Sequence, residues 1–242
     1  MISVERTVAG KPRGMSPGGL YLWAMALTAL GALGAGLLQN GLLRDAETLE
    51  GGLMAAATLA LALQALETCA VPVLAFLLTL DREKGLPRFG SLLAAALVSE
   101  IPYDLAYSGR SFDFESQNLF LGLAVAMLCL YFFRQYGKSL PIKIAVTAAG
   151  LLWVNLLHIR HGSFLLILTV LLWALREKPL ARSFLGPLAG VVCSLLSPFY
   201  LASPMGFLLV HFHNGEEEPI APKRYFVYPA ILLAAGLAAL LI

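Results

Sequence analysis

The chain has 242 residues, of which 59% are hydrophobic and 13% charged, and its mean hydropathy is +0.78. That composition excludes an ordinary soluble globular domain and belongs to polytopic membrane proteins. A net charge of +2 gives no footing for nucleic-acid binding, so where the charges fall matters more than their sum.

Residues 1–19, with Arg6, Lys11 and Arg13 among scattered Gly and Pro, read as a short cytoplasmic tail, and residues 20–242 as a single transmembrane helical domain. The first apolar run has no convincing small-residue cleavage site, so it reads as an anchor. The expected membrane segments are 20–43, 53–80, 89–108, 117–136, 141–158, 161–176, 182–201, a short 204–213, and 225–242. The fold class is therefore all-α, a polytopic helical bundle of about eight or nine segments at roughly 20 residues each. The glycines Gly31, Gly34 and Gly36 of the first segment predict close helix packing. The second segment is long and carries Gln64, Glu67 and Pro72, which predicts a tilt or kink. The short 204–213 stretch cannot cross a core of about 30 Å as a helix, so it joins its neighbour, re-enters, or lies in the interface. Cys69, Cys129 and Cys193 sit in apolar runs without metal-ligand spacing and read as small buried hydrophobes; no metal is expected.

Cations alternate between connections. Arg6, Lys11 and Arg13, then Arg82, Lys84 and Arg88, then Arg134, Lys138 and Lys143, then Arg176, Lys178 and Arg182 fall in every second one. The intervening connections hold only Arg44, Arg110 and Arg160. The excess of Lys and Arg on the cytoplasmic side of membrane proteins thus predicts a cytoplasmic N-terminus and a multi-pass protein of the bilayer.

With that orientation, polar side chains gather on the outer side. Glu100 and Asp104 lie in the outer half of the third segment, Gln117 and Asn118 open the fourth, Asn155 and His158 close the fifth, and Gln64 and Glu67 lie mid-way along the second. Polar groups in hydrocarbon need partners or water, which predicts a shared cavity open to the outside. Glu100, Asp104 and Tyr107 share one helix face at i, i+4 and i+7, and Ser99 and Tyr103 repeat the interval on the adjacent strip. One reading makes a carboxylate here a proton-transfer group or substrate ligand. The other makes the cluster a structural network, with Glu100 bonded to Gln117, Asn118 or Arg110. His158, Arg160 and His161 form a polar knot, with His158 the candidate general base. His211, His213 and the acidic run Glu216–Glu218 match no strong metal-ligand spacing, and Asn214-Gly215 reads as a solvated turn.

The stretch "SEIPYDLAYSGRSFDFESQNLF" from Ser99 resembles the hallmark segment of the TraX family of integral membrane proteins. "VPVLAFLL" (71–78), "HNGEEEP" and "KRYFVYPAILL" resemble further family pieces in the same order. The resemblance implies a membrane acyltransferase of the bacterial inner membrane, of the kind that acetylates pilin in conjugation. The donor would be acetyl-CoA or another acyl-CoA from the cytoplasm, and the acceptor a peptide N-terminus, a glycan or a small molecule. Glu100, Asp104 and His158 become the expected catalytic residues, with Ser99, Tyr103, Tyr107, Asp113, Gln117, Asn118 and Arg160 around the substrate. The chain departs from the family pattern in three places. An Asp-His pair of the first span is absent around Gly31 and Ala32, a Gly-Arg pair is replaced by Glu67 and Thr68, and no His follows Tyr228-Pro229 two residues on. These departures keep open a catalytically degenerate scaffold or regulator. A small-solute transporter using the carboxylates as a relay is a further alternative, against which stands the lack of paired broken helices in two halves.

Overall fold

The computed structural model describes residues 14–39, 51–81, 86–137 and 139–240. Among these there is no strand, only two isolated bridges, and the expected all-helical fold is what forms. The helices are α1 (Pro17–Gln39), α2 (Gly52–Glu67), α3 (Ala70–Leu80), α4 (Pro87–Ser108) and α5 (Leu119–Gln135). They continue with α6 (Leu140–Leu156), α7 (Gly162–Ala174), α8 (Pro179–Cys193), α9 (Pro204–His211) and α10 (Val227–Leu240), with 3-10 turns at Pro198–Ala202 and Pro222–Phe226. Three stretches, Pro17–Gly36, Gly52–Leu80 and Arg88–Ser108, are long and apolar enough to cross a membrane, and α5 to α8 are shorter apolar helices. The cations Arg6, Lys11, Arg13, Arg44, Arg82, Lys84 and Lys138, on which much of the charge alternation rests, lie outside the described residues.

Helix α1 packs on α2, α3, α4 and α10, while α7 packs on α3, α5, α6 and α8. Close approach of α1 to α2 depends on its glycines, since a Cβ on Gly34 would meet the Ala60 carbonyl oxygen at 2.6 Å and one on Gly31 would meet the Glu67 side chain. The long second segment breaks at Thr68–Cys69, between α2 and α3. Pro72 has no N–H to continue the ladder there, and the Thr68 and Cys69 side chains donate across the chain to the carbonyls of Phe199 at 3.0 Å and Ala202 at 3.1 Å.

Those two bonds explain a departure from expectation. The predicted 182–201 segment is not one continuous helix. α8 stops at Cys193, because Pro198 pushes Ser197 into an extended conformation (φ −157°, ψ 130°). The chain then turns through Pro198–Ala202 at the level of Thr68 and returns as α9. Arg182 near the start of α8 and His213 just after α9 both meet the Phe76 ring, 5.0 and 5.1 Å away. α8 and α9 are therefore a hairpin that begins and ends beside Phe76, with the short segment a separate helix that runs back along α8. Asn214 Oδ1 accepts the Glu216 N–H at 3.0 Å and Gly215 has φ 81°, so the expected turn forms just after α9.

Candidate functional site

Glu67, at the last turn of α2, is the only acidic residue between positions 52 and 80, and its side chain is 1% exposed. Its Oε2 accepts from an Arg160 terminal nitrogen at 2.8 Å, and its Oε1 from Arg160 Nε at 3.2 Å and from Tyr107 Oη at 2.8 Å. The Arg160 guanidinium also lies 4.3 Å from the Tyr107 ring centre. A bidentate pair with every oxygen engaged is the form in which a buried carboxylate is tolerated.

Arg160 reaches Glu67 because the α6–α7 connection is tightly wound. His158 and His161 both take left-handed backbone conformations, with φ 48° and 55°. Gln117 N–H donates to the His158 carbonyl at 3.1 Å, and Arg160 N–H donates to the Gln117 carbonyl at 2.9 Å, so this connection is pinned to the start of α5. The winding turns the His158 side chain outward, where it is exposed, and His161 inward. His161 Nδ1 lies 3.1 Å from Tyr200 Oη on the turn between α8 and α9, and its Nε2 lies 3.8 Å from Glu67 Oε1. Tyr107, the α6–α7 connection and, through His161, Tyr200 thus converge on one carboxylate.

The second part of the site is the α4–α5 corner. Asn118 caps α5: its Oδ1 accepts from the N–H groups of Phe120 at 2.9 Å and Leu121 at 3.2 Å. Its amide donates to the Ala96 carbonyl at 2.9 Å and to Glu100 Oε1. Asn118 is fully buried, while Glu100 is half-buried. Asp104 Oδ2 accepts the Asp113 N–H at 2.8 Å, and Tyr103 Oη meets Ser116 Oγ at 2.9 Å. Two buried atoms of the site have no hydrogen-bond partner, Asp104 Oδ1 and His161 Nε2.

Of the residues expected from the sequence, the structure joins Glu100 to Asn118, Asp104 to Asp113, and Tyr107 to Arg160 through Glu67. Gln117 contributes its backbone. Ser99 Oγ donates to the Ala95 carbonyl of its own helix at 2.5 Å, and Arg110 is exposed. The polar groups converge as expected, yet they largely satisfy one another where a shared outward cavity had been predicted. Two large cavities, of about 770 and 700 Å³, are lined by other residues. Glu67 as the hub, His161 as the inward histidine, and Tyr200 and Ser116 are not found by sequence reasoning. A signal for the first existed: a lone acid in a long apolar run needs a cation, and Arg160 is one of the three cations in the charge-poor connections of the sequence. Among the described residues no group of His, Cys, Asp or Glu is placed to hold a metal ion.

An all-helical chain with apolar, membrane-length helices and a hydrogen-bonded polar centre inside them is a membrane protein built around buried charge. It belongs to the TraX family: the family model described as TraX protein matches residues 49–242, from before α2 to the end of the chain. No curated protein and no solved structure matches it.

Proposed function

We propose that the protein is a TraX-type acyltransferase of the bacterial inner membrane, with the end carrying Asp81, Arg88 and Arg134 in the cytoplasm. Family membership supports a TraX-type function in general. The observation that carries the reading further is Glu100, a half-buried carboxylate held by a fully buried Asn118 that is itself fixed as a helix cap. A carboxylate so oriented, and still partly accessible, suits proton transfer from an acceptor.

In this reading the donor is an acyl-CoA, and the acceptor amine or hydroxyl belongs to a peptide N-terminus, a glycan or a small molecule. The acceptor attacks the thioester carbonyl carbon, a C–N or C–O bond forms, and the C–S bond breaks. Glu100, with Asp104, takes the acceptor's proton and returns it to the leaving thiolate, which departs as the thiol. Asn118 is a positioning residue. His158, the base expected from the sequence, is exposed on the α6–α7 connection and takes no part in this step.

The test is acyl transfer from labelled acetyl-CoA in membranes carrying the protein. Glu100→Gln is expected to lower the rate by about 10²–10⁴-fold, the usual worth of a positioned acid–base group. Activity that survives both Glu100→Gln and Asp104→Asn removes the carboxylates from the reaction. A second reading, a non-catalytic scaffold, is favoured by the saturation of Glu67 and Asn118 with partners from the protein itself. It predicts no turnover in the parent protein and a folding defect in Glu100→Gln.

A further inference from the structure

The other end of the bundle holds a cavity lined by none of the residues placed at the acyl-transfer site. It measures about 770 Å³ and lies among the ends of α3, α5 and α7 and the starts of α6 and α8. Arg134, Lys143, Arg176 and Lys178 line it, with Trp173 and Phe133 as aromatic walls. Lys143 Nζ lies 4.9 Å and the Arg176 guanidinium 4.3 Å from the Trp173 ring centre, so the indole holds two cations at the cavity wall.

The acidic groups there do not balance them. Asp81 pairs with Arg88 at 3.0 Å and receives Arg134 on its backbone carbonyl, and Glu177, largely exposed, meets Arg176 at 3.3 Å. Neither Lys143 nor Lys178 has a carboxylate partner among the described residues. Cations at this end are expected of a membrane protein for topological reasons alone. Topology requires only that they sit at this end. It does not require them to line one concave space, with two of them held over one half-buried aromatic ring.

We propose that this cavity binds a phosphate ester, with Lys143 and Lys178 as the principal phosphate ligands, Arg134 and Arg176 supporting them, and Trp173 holding Lys143 and Arg176 in place. Lys serves as a point charge for phosphate, and a cavity of this size is in the range that takes a ligand larger than a bare phosphate ion. Two sources share this chemistry, a soluble nucleotide-type ester such as coenzyme A and the headgroup of an anionic phospholipid. The coenzyme A source rests on the acyl-transfer reading; the phosphate site itself does not, because binding needs neither acceptor nor turnover.

The experiment is equilibrium binding to the purified full-length protein, read by tryptophan fluorescence and calorimetry. The probes are pyrophosphate and coenzyme A in phosphatidylcholine nanodiscs, and separately nanodiscs containing phosphatidylglycerol. The expected result is saturable binding of coenzyme A that weakens at least about tenfold in the Lys143→Gln/Lys178→Gln double variant and is restored in Lys143→Arg/Lys178→Arg. Arg182→Gln, which removes a cation outside this cavity, should leave it unchanged. Phosphatidylglycerol binding with the same lysine dependence, and none of coenzyme A, also supports the phosphate site and makes its source the lipid. Binding of no probe, or equal weakening by Arg182→Gln, overturns it. Thermal unfolding of each variant separates lost binding from lost fold. If coenzyme A binds but no acyl transfer is found, the acyl-transfer reading fails alone.

Discussion

α3 and α7 pack side by side, and their two ends hold charge in opposite ways. At one end Glu67 is 1% exposed and closed off by Arg160 and Tyr107, with His161 beside it. At the other, Thr79 and Asp81 of one strand of chain face Trp173 and Arg176 of the other across a cavity where cations exceed their acidic partners. The protein supplies the counter-charge at the first end and leaves part of it to something external at the second. A buried charge can persist either way, but the consequences of mutation differ: a closed pair reports on stability, an open one on binding.

The sharpest way to break this comparison is to remove one member of the closed pair. Arg160→Leu leaves the Glu67 carboxylate buried without its cation, and should cost about 3–5 kcal/mol in reversible unfolding from mixed micelles. Glu67→Leu with Arg160→Leu should cost clearly less than either single change, since no uncompensated charge remains. If Arg160→Leu alone is nearly neutral, the first end is not closed and the contrast fails. The same residues show why this centre was hard to read from sequence. Glu67 and Arg160 stand 93 positions apart, and their meeting depends on the winding of the α6–α7 connection and on the α2–α3 break.

A smaller effect is expected where helices touch through glycine. A Cβ on Gly206 would run into the Cys69 backbone and, at 2.6 Å, into Pro72 Cγ. Gly206→Ala should therefore push α9 off α3, at about 1–3 kcal/mol for an overpacked contact, measured in the same unfolding assay. It should leave phosphate-ester binding at the far cavity unchanged, which keeps the two ends separate. Apolar runs had revealed the helices themselves, but the 182–201 run concealed this hairpin. Leu195 and Leu196 continue its apolar pattern, and only Pro198 marked the stop.

Asn118→Ala comes next, at about 1–2 kcal/mol for a lost helix cap. Under the acyl-transfer reading it lowers the rate further than stability explains, because Glu100 loses the amide that holds it. Hydrogen exchange at Phe120 and Leu121, whose N–H groups the Asn118 side chain accepts, would report the loss of the cap directly. A full loss of activity with unchanged exchange would place the effect on Glu100 and not on the helix. Here the sequence was informative, because the i, i+4 carboxylates and the Asn at the head of an apolar run carry their geometry locally.

The smallest effect should come from Ser99→Ala. Its hydroxyl donates at 2.5 Å to the Ala95 carbonyl one turn back, a bond within its own helix. Such a bond adds little to a carbonyl already engaged by the helix ladder, so the expected cost is below about 1 kcal/mol. Ser99 is also 0% exposed, which leaves no room for an acceptor at that position without moving α4. Acyl transfer and unfolding should both match the parent protein. A rate loss of tenfold or more with normal stability would instead put Ser99 in contact with substrate, as its place beside Glu100 on the helix first indicated, and the half-buried corner would then extend deeper into α4 than its hydrogen bonds imply.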